Sequence, residues 1–72
     1  MIAIVLNGEP KKIAPGQSIL DLLHFLNLPV ERLAVEHNLK IVKRDHWNSQ
    51  VLEDGDKVEI VQFVGGGSLR IA

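Results

Sequence analysis

The chain has 72 residues, which fits a single domain with a modest hydrophobic core. Its 8 Lys and Arg residues against 9 Asp and Glu residues give a formal net charge of −1, and aromatic residues make up only 4% of it. This composition argues against a nucleic-acid binder, which normally carries a basic patch or a platform of stacking rings. The sequence contains no cysteine, so it can form neither a disulfide nor a cysteine-ligated metal site.

No targeting segment or membrane span is predicted. Residues 1–6 are apolar, but no basic segment precedes them and the run ends at Asn7-Gly8. No apolar run approaches the roughly 18 residues that a transmembrane helix needs. We therefore expect a cytoplasmic protein with no membrane partner.

The first predicted element is a β-hairpin. Residues 2–6 are apolar and rich in β-branched side chains. Asn7-Gly8 follows them and favours a two-residue hairpin turn, because both residue types tolerate positive φ. The return strand is predicted over residues 9–14, with Lys11 and Lys12 facing water.

A helix is predicted next. Ser18 has the properties of an N-cap, and Asp21 three residues later gives a partial capping box, in which Glu or Gln is usual. About three turns are expected before Asn27 and Pro29 end the helix. Apolar residues recur at helical spacing through it: Ile19, Leu20, Leu22, Leu23 and Leu26.

The second half of the chain predicts more strands. Residues 32–36 and 39–42 are expected to form two strands around a turn at Asn38, and residues 53–56 form another turn. Between them, Trp47 is expected to fold onto the core from an irregular segment.

Residues 57–64 have the alternation of a strong closing strand. One face, with Val58 and Ile60, is expected to point inward. The other carries Val61 and Phe63 and has an apolar surplus, which predicts either a partner surface that includes Val64 or burial against a neighbouring element.

This order of elements predicts an α+β fold of the β-grasp, ubiquitin-like type, a mixed sheet of four to five strands wrapped on one helix. Its first and last strands would be central and parallel, with the helix in the crossover between them. The domain would cover residues 1–64, and residues 65–72 would form a flexible C-terminal tail.

Three interpretations of Gly65-Gly66-Gly67 compete. A frayed tail or linker is the common one. A phosphate-binding loop lacks the Gly-Lys-Ser/Thr and the helix that it requires. A reactive C-terminus is the third, because glycines without Cβ can thread a narrow channel and reach roughly 10 Å beyond the domain.

Residues 58–67 resemble the C-terminal end of the ThiS family of thiamine-biosynthesis sulfur carriers. Further similar features lie at Asn7-Gly8-Glu9, at Gly16 with Ser18, at Ala34-Val35-Glu36 with Asn38, at Arg44 with Trp47, and at residues 53–56. The resemblance covers residues 1–67. The molybdopterin-type sulfur carriers share the fold and the Gly-Gly end, but not usually the Arg44-to-Trp47 and Phe63-Val64 features, and rank second.

The resemblance implies a protein co-substrate and not an enzyme. An E1-like enzyme of the ThiF type would use ATP to adenylate Gly67, with Gly66 as the alternative, after Gly65 to Gly67 thread its active site. A persulfide would then give a thiocarboxylate, and a thiazole synthase of the ThiG type would accept the sulfur. The carrier itself would bind no cofactor.

Ser68 to Ala72 depart from the family pattern, since a peptide bond at Gly67 leaves no carboxylate to activate. Three hypotheses account for these residues: a peptidase removes a native extension, the segment was added by cloning, or the chain is a β-grasp interaction module that has lost sulfur transfer. Removal by a peptidase is the favoured hypothesis, with cleavage after Gly67, or alternatively after Gly66.

No metal site is predicted. His24, His37 and His46 lack the close spacing of zinc ligands. Asp54-Gly55-Asp56 lacks the twelve-residue loop of a calcium site and predicts a turn instead.

Overall fold

The computed structural model of the chain describes residues 1–64 and 68–71. The strands in chain order are β1 (Ile2–Leu6), β2 (Glu9–Ile13), β3 (Leu33–His37), β4 (Lys40–Val42), β5 (Lys57–Val64) and β6 (Ser68–Ile71), and helix α1 spans Ile19–Phe25. The sheet order is β2-β1-β5-β3-β4, with β6 also paired to β5. β1 and β5 are parallel and the other pairs antiparallel. The predicted β-grasp fold is confirmed.

Two tight turns set the hairpins of the sheet. Asn7 and Gly8, with φ of 49° and 83°, connect β1 to β2, so this predicted hairpin is confirmed. Asn38 and Leu39, with φ of 51° and 71°, connect β3 to β4. Both positions of such a turn need positive φ, which Asn and Gly accept more readily than Leu.

Helix α1 begins as its sequence predicts. The Ser18 hydroxyl accepts a hydrogen bond from the Asp21 N–H at 3.1 Å, and the Asp21 carboxylate accepts one from the Ser18 N–H at 3.0 Å. The bond from the Ser18 N–H holds the pKa of the Asp21 carboxyl below its usual value. The helix ends after Phe25 and is shorter than the predicted three turns, because Leu26 caps it and Asn27 turns to a φ of 57°.

The core lies between α1 and one face of the sheet. Trp47 follows a 3₁₀ turn at Arg44–His46, is buried, and donates from its indole N–H to the Val42 carbonyl at 2.9 Å. Its predicted position on the core is confirmed. The buried hydrophobic residues are Ile4, Ile13, Ile19, Leu22, Leu23, Leu33, Val35, Trp47, Leu52, Val58 and Ile60.

Two further expectations differ from the structure. Lys11 was expected to face water but is half-buried. It pairs with Ile4 across the hairpin, which places its side chain on the helix side of the sheet. Its ammonium group lies 5.6 Å from the centre of the Phe25 ring. Lys12 is exposed as expected. Residues 68–71, assigned from sequence to a flexible tail, form strand β6 because the edge of β5 offers them backbone partners.

Candidate functional site

The candidate site is the end of β5, from which the chain continues into the glycine run. β5 lies between β1 and β3, and its side chains Val58 and Ile60 are fully buried in the core. This confirms the predicted inward face and fixes the strand on both sides. Gly65, Gly66 and Gly67, predicted as the threading segment and the modification site, lie outside the described residues.

The outer face of β5 has the apolar surplus that the sequence predicts. Val61 is half-buried and Phe63 is 45% exposed. Ile41 of β4, on the same face of the sheet, is 75% exposed. Neither Val61 nor Phe63 is fully buried, so both are accessible near the end of β5.

Charge on this outer face is mixed. Glu59 lies directly opposite Glu36 of β3, and Lys57 lies two residues before Glu59 on the same face. A shallow groove of about 210 Å³ passes over these side chains and is also lined by Val5 and Leu39. Like charges directly opposite on neighbouring strands repel each other, and the positive charge of Lys57 on the same face offsets part of this repulsion.

Asn7 anchors β5 from the first hairpin, a contact that sequence reasoning did not identify. Its Oδ1 accepts a hydrogen bond from the Ile60 N–H at 2.7 Å, and its Nδ2 donates to the Ile60 carbonyl at 3.4 Å. The Asn7 N–H also donates to the Val58 carbonyl at 2.9 Å. Asn7 therefore continues the β1 side of the sheet for one residue after β1 itself has turned away.

A second polar cluster fixes the start of β5. His37 Nε2 lies 2.7 Å from the Asp56 carboxylate, which also accepts hydrogen bonds from the Asn38 side chain and the Glu53 N–H. Burial alone would raise the pKa of Asp56, but these hydrogen bonds and the His37 charge outweigh it and lower the pKa below 3.8. The cluster joins the β3–β4 turn to the turn before β5, which supports a structural role.

The residues weighed as metal ligands are dispersed. Within residues 1–64 and 68–71, no group of three or more His, Cys, Asp or Glu side chains comes together as a metal site would require. Asp54 accepts a hydrogen bond from the Ala3 N–H at 2.8 Å, which ties its turn to β1. The same part of the chain holds no helix with the length and apolar character to cross a bilayer.

The sequence profile of the ThiS family matches residues 4–67. The sulfur carrier protein ThiS of Bacillus subtilis is 40% identical over 63 residues, which are 86% of this chain and 96% of that protein. A crystal structure of the thiamine biosynthesis protein ThiS from Geobacter metallireducens superposes with a TM-score of 0.81 at 30% identity, covering 92% of this chain and all of the other.

A different kind of relative is much longer. A thiazole synthase of Paramagnetospirillum magneticum is 40% identical over 65 residues, which are 90% of this chain but only 20% of that protein. The chain thus spans about a fifth of the length of this synthase, and of a second one from Magnetococcus marinus. In both proteins, a segment similar to this chain belongs to one polypeptide with a thiazole synthase.

Proposed function

The chain belongs to the ThiS family of sulfur carriers of thiamine biosynthesis, and from this we propose that it carries sulfur as a thiocarboxylate on Gly67. The observation that carries the proposal is the family match over residues 4–67, which extends through the glycine run. Membership in this family favours the thiamine type over the molybdopterin type of carrier.

The proposed chemistry takes place at a backbone carboxylate. A Gly67 carboxylate oxygen would attack the α-phosphorus of ATP, with pyrophosphate as the leaving group, in the active site of a ThiF-type enzyme. A persulfide sulfur would then attack the acyl carbon and expel AMP. A thiol would cleave the resulting acyl disulfide, becoming oxidised to a disulfide as it releases the thiocarboxylate. ATP is thus a substrate of the partner, and the carrier is a co-substrate without catalytic groups of its own.

The geometry of β5 supports this role. The strand is held by β1 and Asn7 as far as Ile60 and by β3 as far as Gln62, so the glycine run begins three residues after the last position that these neighbours hold. Glycine has no Cβ and accepts backbone conformations that other residues do not. A fixed base with a threadable end suits delivery of a carboxylate into another protein's active site.

The partners follow from the same proposal. The accessible side chains of Val61 and Phe63, together with the chain at Val64, would contact the adenylating enzyme and a ThiG-type thiazole synthase. The synthases that contain a segment similar to this chain support the second partner. A peptidase would first remove Ser68 to Ala72, because a peptide-bonded Gly67 cannot be adenylated.

Intact-mass measurement tests the proposal. A variant that ends at Gly67 is incubated with the ThiF-type enzyme, ATP, a persulfide donor and a thiol, and it should gain first AMP and then, once the thiol has cleaved the acyl disulfide, a single sulfur atom. A variant that ends at Gly66 tests the alternative site, and the 72-residue chain should remain unmodified. If neither shortened variant gains AMP or sulfur, the carrier proposal is wrong and an interaction module becomes the better interpretation. Modification of the uncut 72-residue chain would contradict the need for a peptidase.

A further inference from the structure

The edge of β5 that faces β1 has different partners along its length. β1 pairs with β5 only through Val5 with Lys57 and Leu6 with Val58. The Asn7 main chain and side chain then bond Val58 and Ile60. Beyond Ile60 the first hairpin no longer reaches β5, because the chain has turned into β2.

β6 occupies the next part of the same edge. Both Val61 and Gln62 have Cα partners in β3, and both also have Cα partners in β6. A strand has two edges, so β6 must lie opposite β3, on the β1 side. Along a strand, successive N–H and C=O groups point to alternate edges. Because the groups of Ile60 face the β1 side, those of Gln62 and Val64 face it too, and β6 is their partner.

The position of β6 determines where the chain can go after β5. Ser68 is the Cα partner of Val64, so the chain returns to β5 directly after the glycine run. An enzyme that takes up the tail must approach Val64 and the backbone just before it. With β6 in place, that edge is already covered.

We propose that Ser68–Ile71 is a blocking strand, which covers the edge of β5 at Gln62 and Val64 and hinders the adenylating enzyme until the chain is cut after Gly67. The identity of that enzyme rests on the proposed function. The cut is a hydrolysis in which water adds across the Gly67–Ser68 peptide bond, giving a Gly67 carboxylate and a Ser68 amine. One event thus releases the reactive group and uncovers the edge beside it.

The blocking is expected to be moderate and to depend on the covalent connection. A strand of four residues makes few hydrogen bonds, so it reduces the enzyme-competent fraction of the chain by about tenfold. Once cut, the segment loses the effective concentration, in the mM range, that its short connection provides. It should then leave without further help.

Residue-resolved amide exchange tests the pairing itself. The 72-residue chain is compared with the variant that ends at Gly67, and the amides of Gln62 and Val64 should exchange at least about tenfold faster in the shortened variant. Two internal controls should not change: the Ile60 amide is held by Asn7, and the Val61 amide faces β3. Equal exchange at Gln62 and Val64 in the two chains would overturn the proposal.

Proline variants of the uncut chain test the effect on the enzyme. Arg70 is the Cα partner of Gln62, so Arg70→Pro removes an N–H that faces β5. Leu69→Pro is the matched control, since its N–H faces away from β5 and an edge strand tolerates proline there. Calorimetric titration with the adenylating enzyme should show about tenfold tighter binding for Arg70→Pro than for the parent chain, and parent-like binding for Leu69→Pro.

These outcomes separate the two proposals. If Arg70→Pro binds no more tightly than Leu69→Pro, the blocking role is wrong, even where the variant ending at Gly67 is adenylated. If exchange and binding change as expected but that variant is never adenylated, the blocking strand stands and the proposed chemistry fails.

Discussion

Replacement of Asn7 should destabilise the fold by removing hydrogen bonds to β5. The Asn7 side chain bonds both the N–H and the carbonyl of Ile60, a residue that is 1% exposed. Asn7 also has a φ of 49°, which asparagine accepts better than most residues. Asn7→Ala leaves the Ile60 N–H without this acceptor, at about 1–3 kcal/mol, and puts an unsuitable side chain at positive φ, at about 1 kcal/mol. We expect a loss of about 2–4 kcal/mol in the free energy of unfolding.

Two further variants separate these contributions. Asn7→Gly loses the side-chain acceptor but suits the positive φ, so its loss should be about 1–3 kcal/mol. Asn7→Asp keeps an acceptor for the Ile60 N–H and tolerates the backbone conformation, so it should lose least. Urea unfolding at pH 7 gives the order, and faster exchange of the Ile60 amide in Asn7→Ala and Asn7→Gly gives the cause. Stability of Asn7→Gly equal to the parent, with the Ile60 amide still protected, would refute the reasoning.

Three other predictions concern the surface and the turns. Phe63 is 45% exposed, so Phe63→Ser should lower the free energy of unfolding by about 1 kcal/mol or less. The same variant should bind the adenylating enzyme at least about tenfold more weakly, whereas Ile41→Ser on the same face should bind like the parent chain. Equal binding by both variants would contradict a contact at Phe63. Asp56→Asn should destabilise the chain at pH 7. Because the pKa of the Asp56 carboxyl is lowered in the folded chain, the difference in free energy of unfolding between parent and variant should shrink as acid protonates this carboxylate. A difference that stays constant with pH in urea unfolding would rule out the carboxylate as its source. Leu39 is 81% exposed and has a φ of 71°, a conformation that glycine adopts more readily than leucine. Leu39→Gly should therefore stabilise the chain by about 0.5–1 kcal/mol in urea unfolding, whereas Leu39→Ala should give no such gain.

Local signals in the sequence predicted most of the fold. Asn7-Gly8 marks the first hairpin because the turn needs positive φ at both positions. Ser18 with Asp21 marks the helix start because the unpaired N–H groups there need nearby acceptors. The alternation around Val58 and Ile60 identifies the inward face of β5, because side chains alternate between the two faces of a strand and only one face of this sheet packs against the core.

The features that were not predicted depend on partners distant in sequence. Asn7 and Ile60 are 53 residues apart, and His37 and Asp56 are 19 apart, so neither pairing has a local pattern. A charged residue in a strand usually faces water, which predicts solvent exposure for Lys11, but the register with Ile4 puts this side chain on the helix side of the sheet. β6 was missed because a short segment after glycines forms a strand only where an edge is open to it.

That open edge follows from the lengths of two strands. β5 has eight residues, whereas β1 has five and must turn into β2 after Leu6, so the last part of β5 extends beyond its neighbour. The extension suits the proposed function, in which the tail leaves from a strand that is fixed at its base. The same extension leaves backbone groups of Gln62 and Val64 that any strand can pair with, including one from the chain itself. Residues that follow the glycines can therefore restrain the tail by pairing with β5, in addition to occupying the Gly67 carboxyl group in a peptide bond. We expect extensions with β-forming residues to restrain the tail more than extensions rich in glycine or proline.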